Sequence, residues 1–168
     1  MDLGGINNKL KKLLAILVLG LLFCNTSFAD SLRVVDGDTI DLNGEKIRFS
    51  GIDAPESNYR GKEQTCLINE TIIHCGKLSK EFLIKKIGTN KVTCKREKEP
   101  DRYNRILAEC FVNGESLSKI LVKNGYAFDY ERYSEKKYSE DQEYAKTNKL
   151  GLWSMKFEYP WEWRKKNK

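Results

Sequence analysis

Asn43-Gly44 constrains this chain more than any other pair of residues. Both tolerate a positive φ, and they lie between two segments that read as strands, Asp38 to Leu42 and Lys46 to Ile52. A two-residue Asn-Gly loop selects the hairpin turn whose twist matches the flanking strands, so it fixes an antiparallel pair and its register. Upstream, Leu32 to Val35 is a further β-rich run, stopped by Asp36-Gly37. The opening therefore predicts a three-stranded meander that breaks at Pro55.

Beyond the break, Ser57 to His74 lacks clean periodicity and holds Cys66, with Cys75 directly after the stretch, which predicts a long surface loop pinned by a disulfide. Asn69-Glu70-Thr71 forms a glycosylation sequon, relevant only in a eukaryotic host. Lys77 to Ile87 carries Leu78, Phe82, Leu83 and Ile87 on one helical face, with Gly88 as its stop. Lys91 to Lys95 and Arg105 to Val112 read as strands, and Leu117, Ile120 and Leu121 mark a short helix ended by Gly125. Ser139 with Gln142 reads as a capping box opening a third helix that stops near Gly151. The order βββ-α-ββ-α-α predicts an α+β, mainly β domain: a small antiparallel barrel with packed helices. Trp161 and Trp163 are expected to pack the C-terminal segment, with base stacking as the alternative. The basic tail from Arg164 to Lys168 is expected to fray.

The first 29 residues are set apart from the fold. Lys9, Lys11 and Lys12 precede an apolar run from Leu13 to Phe23, and Ser27-Phe28-Ala29 offers a small-residue cleavage site. This is the form of a secretory signal peptide, and the run is shorter than the roughly 20 residues of a membrane span. The expected domains are a signal peptide over 1–29 and a globular unit over 30–168. The expected location is periplasmic or secreted, or membrane-anchored if the signal stays uncleaved. Nothing else predicts stable membrane insertion. The remaining unit carries 27 basic and 23 acidic residues, a mild excess that favours an anionic partner without naming one.

Four cysteines remain in that unit, Cys66, Cys75, Cys94 and Cys110. An even number in an exported domain suggests two disulfides, for which three pairings exist. Neighbourhood along the chain favours Cys66–Cys75 and Cys94–Cys110, the second pair on consecutive strands. A zinc site is disfavoured, because no CxxC pair occurs and His74 is the only histidine. His74 itself reads as a surface residue.

Three segments carry chemistry together that none carries alone. Asp36-Gly37-Asp38-Thr39 in isolation is a common turn. Arg48 to Glu56 ends in Asp53-Ala54-Pro55-Glu56, which places two carboxylates about a rigid turn and leaves the Ala54 carbonyl free of a following amide donor. Carboxylates and carbonyls suit a hard cation such as Ca²⁺. Asp101-Arg102-Tyr103-Asn104-Arg105 adds arginines at a strand entrance, and guanidinium binds phosphate in bidentate fashion. Metal-binding aspartates, a nearby glutamate and two arginines are the parts needed to hydrolyse a phosphodiester.

The ordered set VVDGDTIDL, IRFSGIDAPE, DRYNRILAEC, LVKNGYAFDYERY and LGLW, from about Leu32 to Trp153, resembles the staphylococcal nuclease (thermonuclease) family. The resemblance implies a five-stranded OB-fold barrel with three helices and Ca²⁺-dependent cleavage of DNA and RNA with low sequence specificity, leaving 3′-phosphates. By the same resemblance Asp38 and Asp53 ligate Ca²⁺ through carboxylates and Ala54 through its carbonyl. Glu56 matches the proposed general base. Arg48 and Arg105 match the pair that binds the scissile phosphate and stabilises the transition state. Arg102 and Tyr103 match a pair that contacts a terminal phosphate, and Tyr133 matches a tyrosine near the nucleotide base. A second family tyrosine is replaced here by Glu131, with Tyr130 as the nearby substitute. Single-stranded or unpaired nucleic acid is the favoured substrate, and a monomer is expected. The alternative reading is a non-catalytic OB-fold module of the envelope that binds nucleic acid without cutting it.

Overall fold

The computed structural model describes residues 31–168 with the exception of Arg102. The signal peptide expected over 1–29 and the phosphate contact expected of Arg102 lie outside the described residues.

Strands β1 (Leu32–Asp36), β2 (Thr39–Leu42) and β3 (Glu45–Phe49) form the expected meander. Asn43 and Gly44 sit at φ 56° and 86°, as a two-residue hairpin turn requires. That turn sets Ile40 opposite Ile47, and both are fully buried. The β1–β2 register slips between Val34 and Asp36. Such an irregularity re-aims side chains, and it turns the buried Asp38 away from solvent.

The segment read as one strand, Lys46 to Ile52, is instead divided. The chain leaves β3 at Ser50-Gly51 and resumes as the short β4 (Ile52–Asp53). Gly51 has φ 74°, and a Cβ there would stand 3.0 Å from that of Ser134, so the turn requires glycine. The stretch read as a loop holds a second hairpin, β5 (Cys66–Ile68) and β6 (Thr71–Ile73). Its turn residues, Asn69 and Glu70, adopt positive φ without a glycine, which is why no turn signal was visible.

Helix α1 (Cys75–Ile87) packs Ser79, Leu83 and Ile87 inward and ends at Gly88, whose N–H donates to the Ile84 carbonyl. Strands β7 (Val92–Arg96) and β8 (Ile106–Val112) pair antiparallel, and β8 lies parallel to β3 through Ile47–Ile106, Arg48–Leu107 and Phe49–Ala108. The main sheet runs β1-β2-β3-β8-β7, with the short β9 (Glu115–Ser116) beside β8. With β9 it has six strands, against the five expected. Among the described residues no pairing joins β7 to β1, so the sheet is mixed and not closed by a ladder into a barrel.

Helix α2 (Leu117–Lys123) is capped by the Ser116 hydroxyl, which accepts from the Lys119 N–H. Strand β10 (Phe128–Asp129) pairs with β4 and leads into α3 (Glu131–Ser134) and α4 (Ser139–Thr147). The expected capping box is absent. Tyr138 is the N-cap of α4, and the Gln142 side chain accepts from the Asp129 N–H instead. A 3₁₀ turn over Gly151–Ser154 and a last helix, α5 (Pro160–Lys166), complete the chain. Five α-helices are thus present among the described residues, against three expected. Of the two additions, α3 has only four residues, and α5 lies in a segment whose basic end reads as a solvated tail. No helix among the described residues is long and apolar enough to cross a membrane.

Both favoured disulfides are present, Cys66–Cys75 and Cys94–Cys110, the second across directly paired positions of β7 and β8. The main core gathers Ile40, Ile47, Phe49, Leu83, Leu117 and Leu121. A second cluster centres on Phe128 and Leu152, with Trp153, Phe157, Tyr159 and Trp161 packed around them. The tail therefore does not fray. Trp161 stacks on Tyr159 at 4.6 Å and on Tyr130 at 5.0 Å between ring centres, which docks α5 against the sheet.

Candidate active site

The site forms where β3, β4 and the β1–β2 turn meet. Arg48 points from β3 across the strand ends. Its guanidinium donates to Asp38 Oδ2 and to Asp53 Oδ1, each at 2.6 Å, and to the Ile52 carbonyl at 3.2 Å. Burial opposes its charge, but Asp38 and Asp53 outweigh that cost and hold the guanidinium protonated. Asp38 is fixed further by the Thr39 hydroxyl and by the Ala54 N–H at 3.1 Å. Asp53 is fully buried, because the β4–β10 pairing covers it.

Glu56 follows the Pro55 turn, and its backbone is held by a residue that carried no signal in the sequence. The Gln64 N–H donates to the Glu56 carbonyl at 2.9 Å, and the Gln64 side chain accepts from the Glu56 N–H at 3.3 Å. The same side chain donates to the Glu158 carbonyl, tying the Glu56 turn to the tail. Burial, then the nearby charge of Asp38, lifts the Glu56 carboxyl to about 7. Asp36 is lifted to about 6 by burial and Asp38, against amide donors from Gly37 and Ser57. Asp36, Asp38, Asp53 and Glu56 thus crowd negative charge into one buried corner.

A second guanidinium enters this corner from the tail. Arg164 of α5 donates to Asp53 Oδ2 at 2.6 Å, to Asp53 Oδ1 at 3.1 Å and to Glu56 Oε1 at 2.5 Å. Nothing local in the sequence points to it, since it sits in a basic run that reads as a solvated terminus. Only the tryptophans before it signal that the segment is anchored.

Arg48, Glu56, Tyr103, Arg105, Tyr133 and Arg164 line one cavity of about 640 Å³. Arg105 stands at the entrance to β8, across from Arg48, and its guanidinium donates to Asp101 at 2.6–2.8 Å. Burial works against the Asp101 charge, but these hydrogen bonds prevail and lower its pKa. Arg105 also lies 5.4 Å from the centre of the Tyr103 ring. Tyr130 and Tyr133 share the opposite wall with rings 4.9 Å apart, and Tyr133 is 63% exposed. Tyr130 thus stands beside Tyr133 in the lining of the same cavity. His74 stands away from the site, paired with Glu63 on the surface.

The structure thus brings together Asp38, Asp53, Ala54, Glu56 and Arg48, and faces them with Arg105, Tyr103 and Tyr133. Among the described residues no three His, Cys, Asp or Glu side chains are grouped closely enough to hold a metal ion by themselves.

A family model described as staphylococcal nuclease homologue matches residues 46–155. Succinoglycan biosynthesis protein ExoI of Rhizobium meliloti (strain 1021) is 31% identical over 128 residues, 75% of this chain and 64% of that protein. SPbeta prophage-derived endonuclease YokF of Bacillus subtilis (strain 168) is 30% identical over 138 residues, 73% of this chain and 42% of that protein. Micrococcal nuclease of Shigella flexneri is 30% identical over 154 residues, 82% of this chain and 80% of that protein. The chain spans less than two thirds of ExoI and of YokF.

Proposed function

The chain belongs to the staphylococcal nuclease family, and from that premise we propose that it hydrolyses phosphodiester bonds in DNA and RNA. The observation that carries this reading is one side chain. Arg48 straddles Asp38 and Asp53 in the lining of a cavity that Arg105 also lines. Two fixed guanidiniums in one cavity match the non-bridging oxygens of a phosphate and the charge that grows on them during attack.

The finer reading adds Ca²⁺. The donors at hand are all oxygen: the Asp38 and Asp53 carboxylates and the Ala54 carbonyl, with water or phosphate to complete the shell. A hard dication takes such ligands. Burial first and then the charge of Asp38 lift Asp36 and Glu56, and a dication would relieve the second of these, so the donor set and its charge fit. When bound, the ion supplies Lewis-acid stabilisation to a phosphoryl oxygen. The protein's own residues do the rest. Glu56, with its carboxyl near 7, accepts a proton from the attacking water at Oε1 or Oε2. Asp101 holds the Arg105 guanidinium toward the cavity, where it binds the phosphate. Tyr130 and Tyr133 offer ring faces to a base, which favours single-stranded or unpaired substrate and low sequence specificity. Cleavage that leaves 3′-phosphates, a monomeric state, a five-stranded barrel and export through the 1–29 segment complete the proposal.

The test is cleavage of single- and double-stranded DNA and of RNA by the oxidised protein, in Ca²⁺ and then in chelator, beside Arg105→Gly. Cleavage that needs Ca²⁺ and vanishes in the variant is expected. A folded protein that cuts none of them would instead be the binding module, and salt-sensitive DNA binding would mark it.

A further inference from the structure

We propose that Arg164 is an internal counter-ion that competes with a divalent cation for Asp53, so that the cation binds as this guanidinium lets go. The inference rests on the divalent-cation part of the reading above.

Asp53 has two oxygens, and both are engaged by guanidinium. Oδ2 accepts from Arg164 at 2.6 Å, while Oδ1 accepts from Arg48 at 2.6 Å and from Arg164 at 3.1 Å. Asp53 has no solvent exposure through which water could screen a third charge. Ca²⁺ binds carboxylate oxygen at roughly 2.3–2.6 Å. A dication on the Asp53 oxygen that Arg164 holds would sit within about 5 Å of the guanidinium nitrogen, where repulsion in a partly dry interior far exceeds its value in water. The two carboxylates expected to hold the cation are already matched by two guanidiniums, and one of these must yield.

Arg48 is poorly placed to yield. It is fixed in β3 between its neighbours and also donates to the Ile52 carbonyl. Arg164 reaches in from a terminal helix by its side chain alone. The α5 backbone is anchored separately, by Trp161 on Tyr130, by the Gln64 side chain on the Glu158 carbonyl and by Lys62 on Asn167. The Arg164 head also lines the cavity, so it has a polar place to move to without undocking the helix.

The test is calorimetric titration of Ca²⁺ alone into the oxidised protein, with no nucleic acid present. Arg164→Gln is compared with Lys165→Gln, which removes one positive charge from the same helix without touching Asp53 or Glu56. A coupling of ordinary size predicts about 5- to 150-fold tighter Ca²⁺ binding in Arg164→Gln. Lys165→Gln should stay near the parent. Thermal unfolding in chelator checks that each variant is folded. If Arg164→Gln is not, Arg164→Lys replaces it, with a smaller tightening expected because a point charge replaces the fork. Equal or weaker Ca²⁺ binding by the folded variant overturns the inference and leaves the cation site standing. Binding by neither parent nor variant overturns the inference and the Ca²⁺ reading together. Tightened binding without cleavage of any nucleic acid supports the inference and refutes only the nuclease reading.

Discussion

Gly76 lies in the first turn of α1, where helix propensity alone favours alanine over glycine by about 1 kcal/mol. The structure reverses that expectation. A Cβ at Gly76 would stand 2.0 Å from the Glu56 carbonyl oxygen and 2.6 Å from the Ser57 nitrogen. Ordinary contact begins near 3.4 Å, so α1 and the Glu56 turn would have to part by about 1.4 Å. Neither side is free to move. The Glu56 turn is held by both ends of Gln64 and by the Ser57 N–H on Asp36, and α1 is held by Cys66–Cys75. Overpacking of this kind costs about 1–3 kcal/mol beyond the helix gain. For a domain of this size that is a fall in Tm of about 4–12 °C for Gly76→Ala, read by circular dichroism of the oxidised protein. Because the displaced carbonyl belongs to Glu56, cleavage should fall by about 100-fold as well. An unchanged or raised Tm with full cleavage would refute the packing of α1 against the Glu56 turn.

Four further outcomes follow from the same geometry. Arg105→Gln should abolish cleavage while leaving thermal unfolding nearly unchanged, since its pair with Asp101 is partly exposed; a Tm loss as large as that of a core variant would count against a role confined to substrate. Serine at both Cys94 and Cys110 should cost about 3 kcal/mol in denaturant unfolding, as expected for a loop of this length. Without metal, stability should fall as pH rises from about 4.5 to 7, because the folded state holds a proton on Glu56 that the unfolded chain gives up. The Glu56 share is about 3 kcal/mol, and denaturation midpoints at pH 5 and pH 8 in chelator check the sign. Tyr130→Leu should loosen α5 and red-shift Trp161 fluorescence, because one face of the indole stack is lost.

The residues that were legible in the sequence are those whose local spacing carries meaning. Asn43-Gly44 fixed the first hairpin, and the Asp-Ala-Pro-Glu run placed Asp53 and Glu56 on one turn. The cysteine pairing followed because neighbours on consecutive strands face one another, as Cys94 and Cys110 do. The residues that stayed illegible act at long range. Gln64 is a polar residue within an aperiodic stretch, and nothing local says that both ends of its side chain are buried against Glu56 and Glu158. Arg164 has the composition of a solvated tail, and its place is decided by aromatic packing around Phe128, which no short window contains. Gln142 shows the opposite failure: a valid local motif was overridden when a tertiary donor, the Asp129 N–H, took the side chain.

The parallel pairing of β3 with β8 has one more consequence. It pairs Arg48 with Leu107, two residues after Arg105, and so joins the segments that carry the two arginines, which are far apart in the chain. Contacts of that kind form only after a long loop has closed, so a partly folded chain carries the two arginines on unconnected pieces. Assembly of the phosphate cradle is then tied to completion of the sheet. Until that seam zips, the two arginines cannot line one cavity.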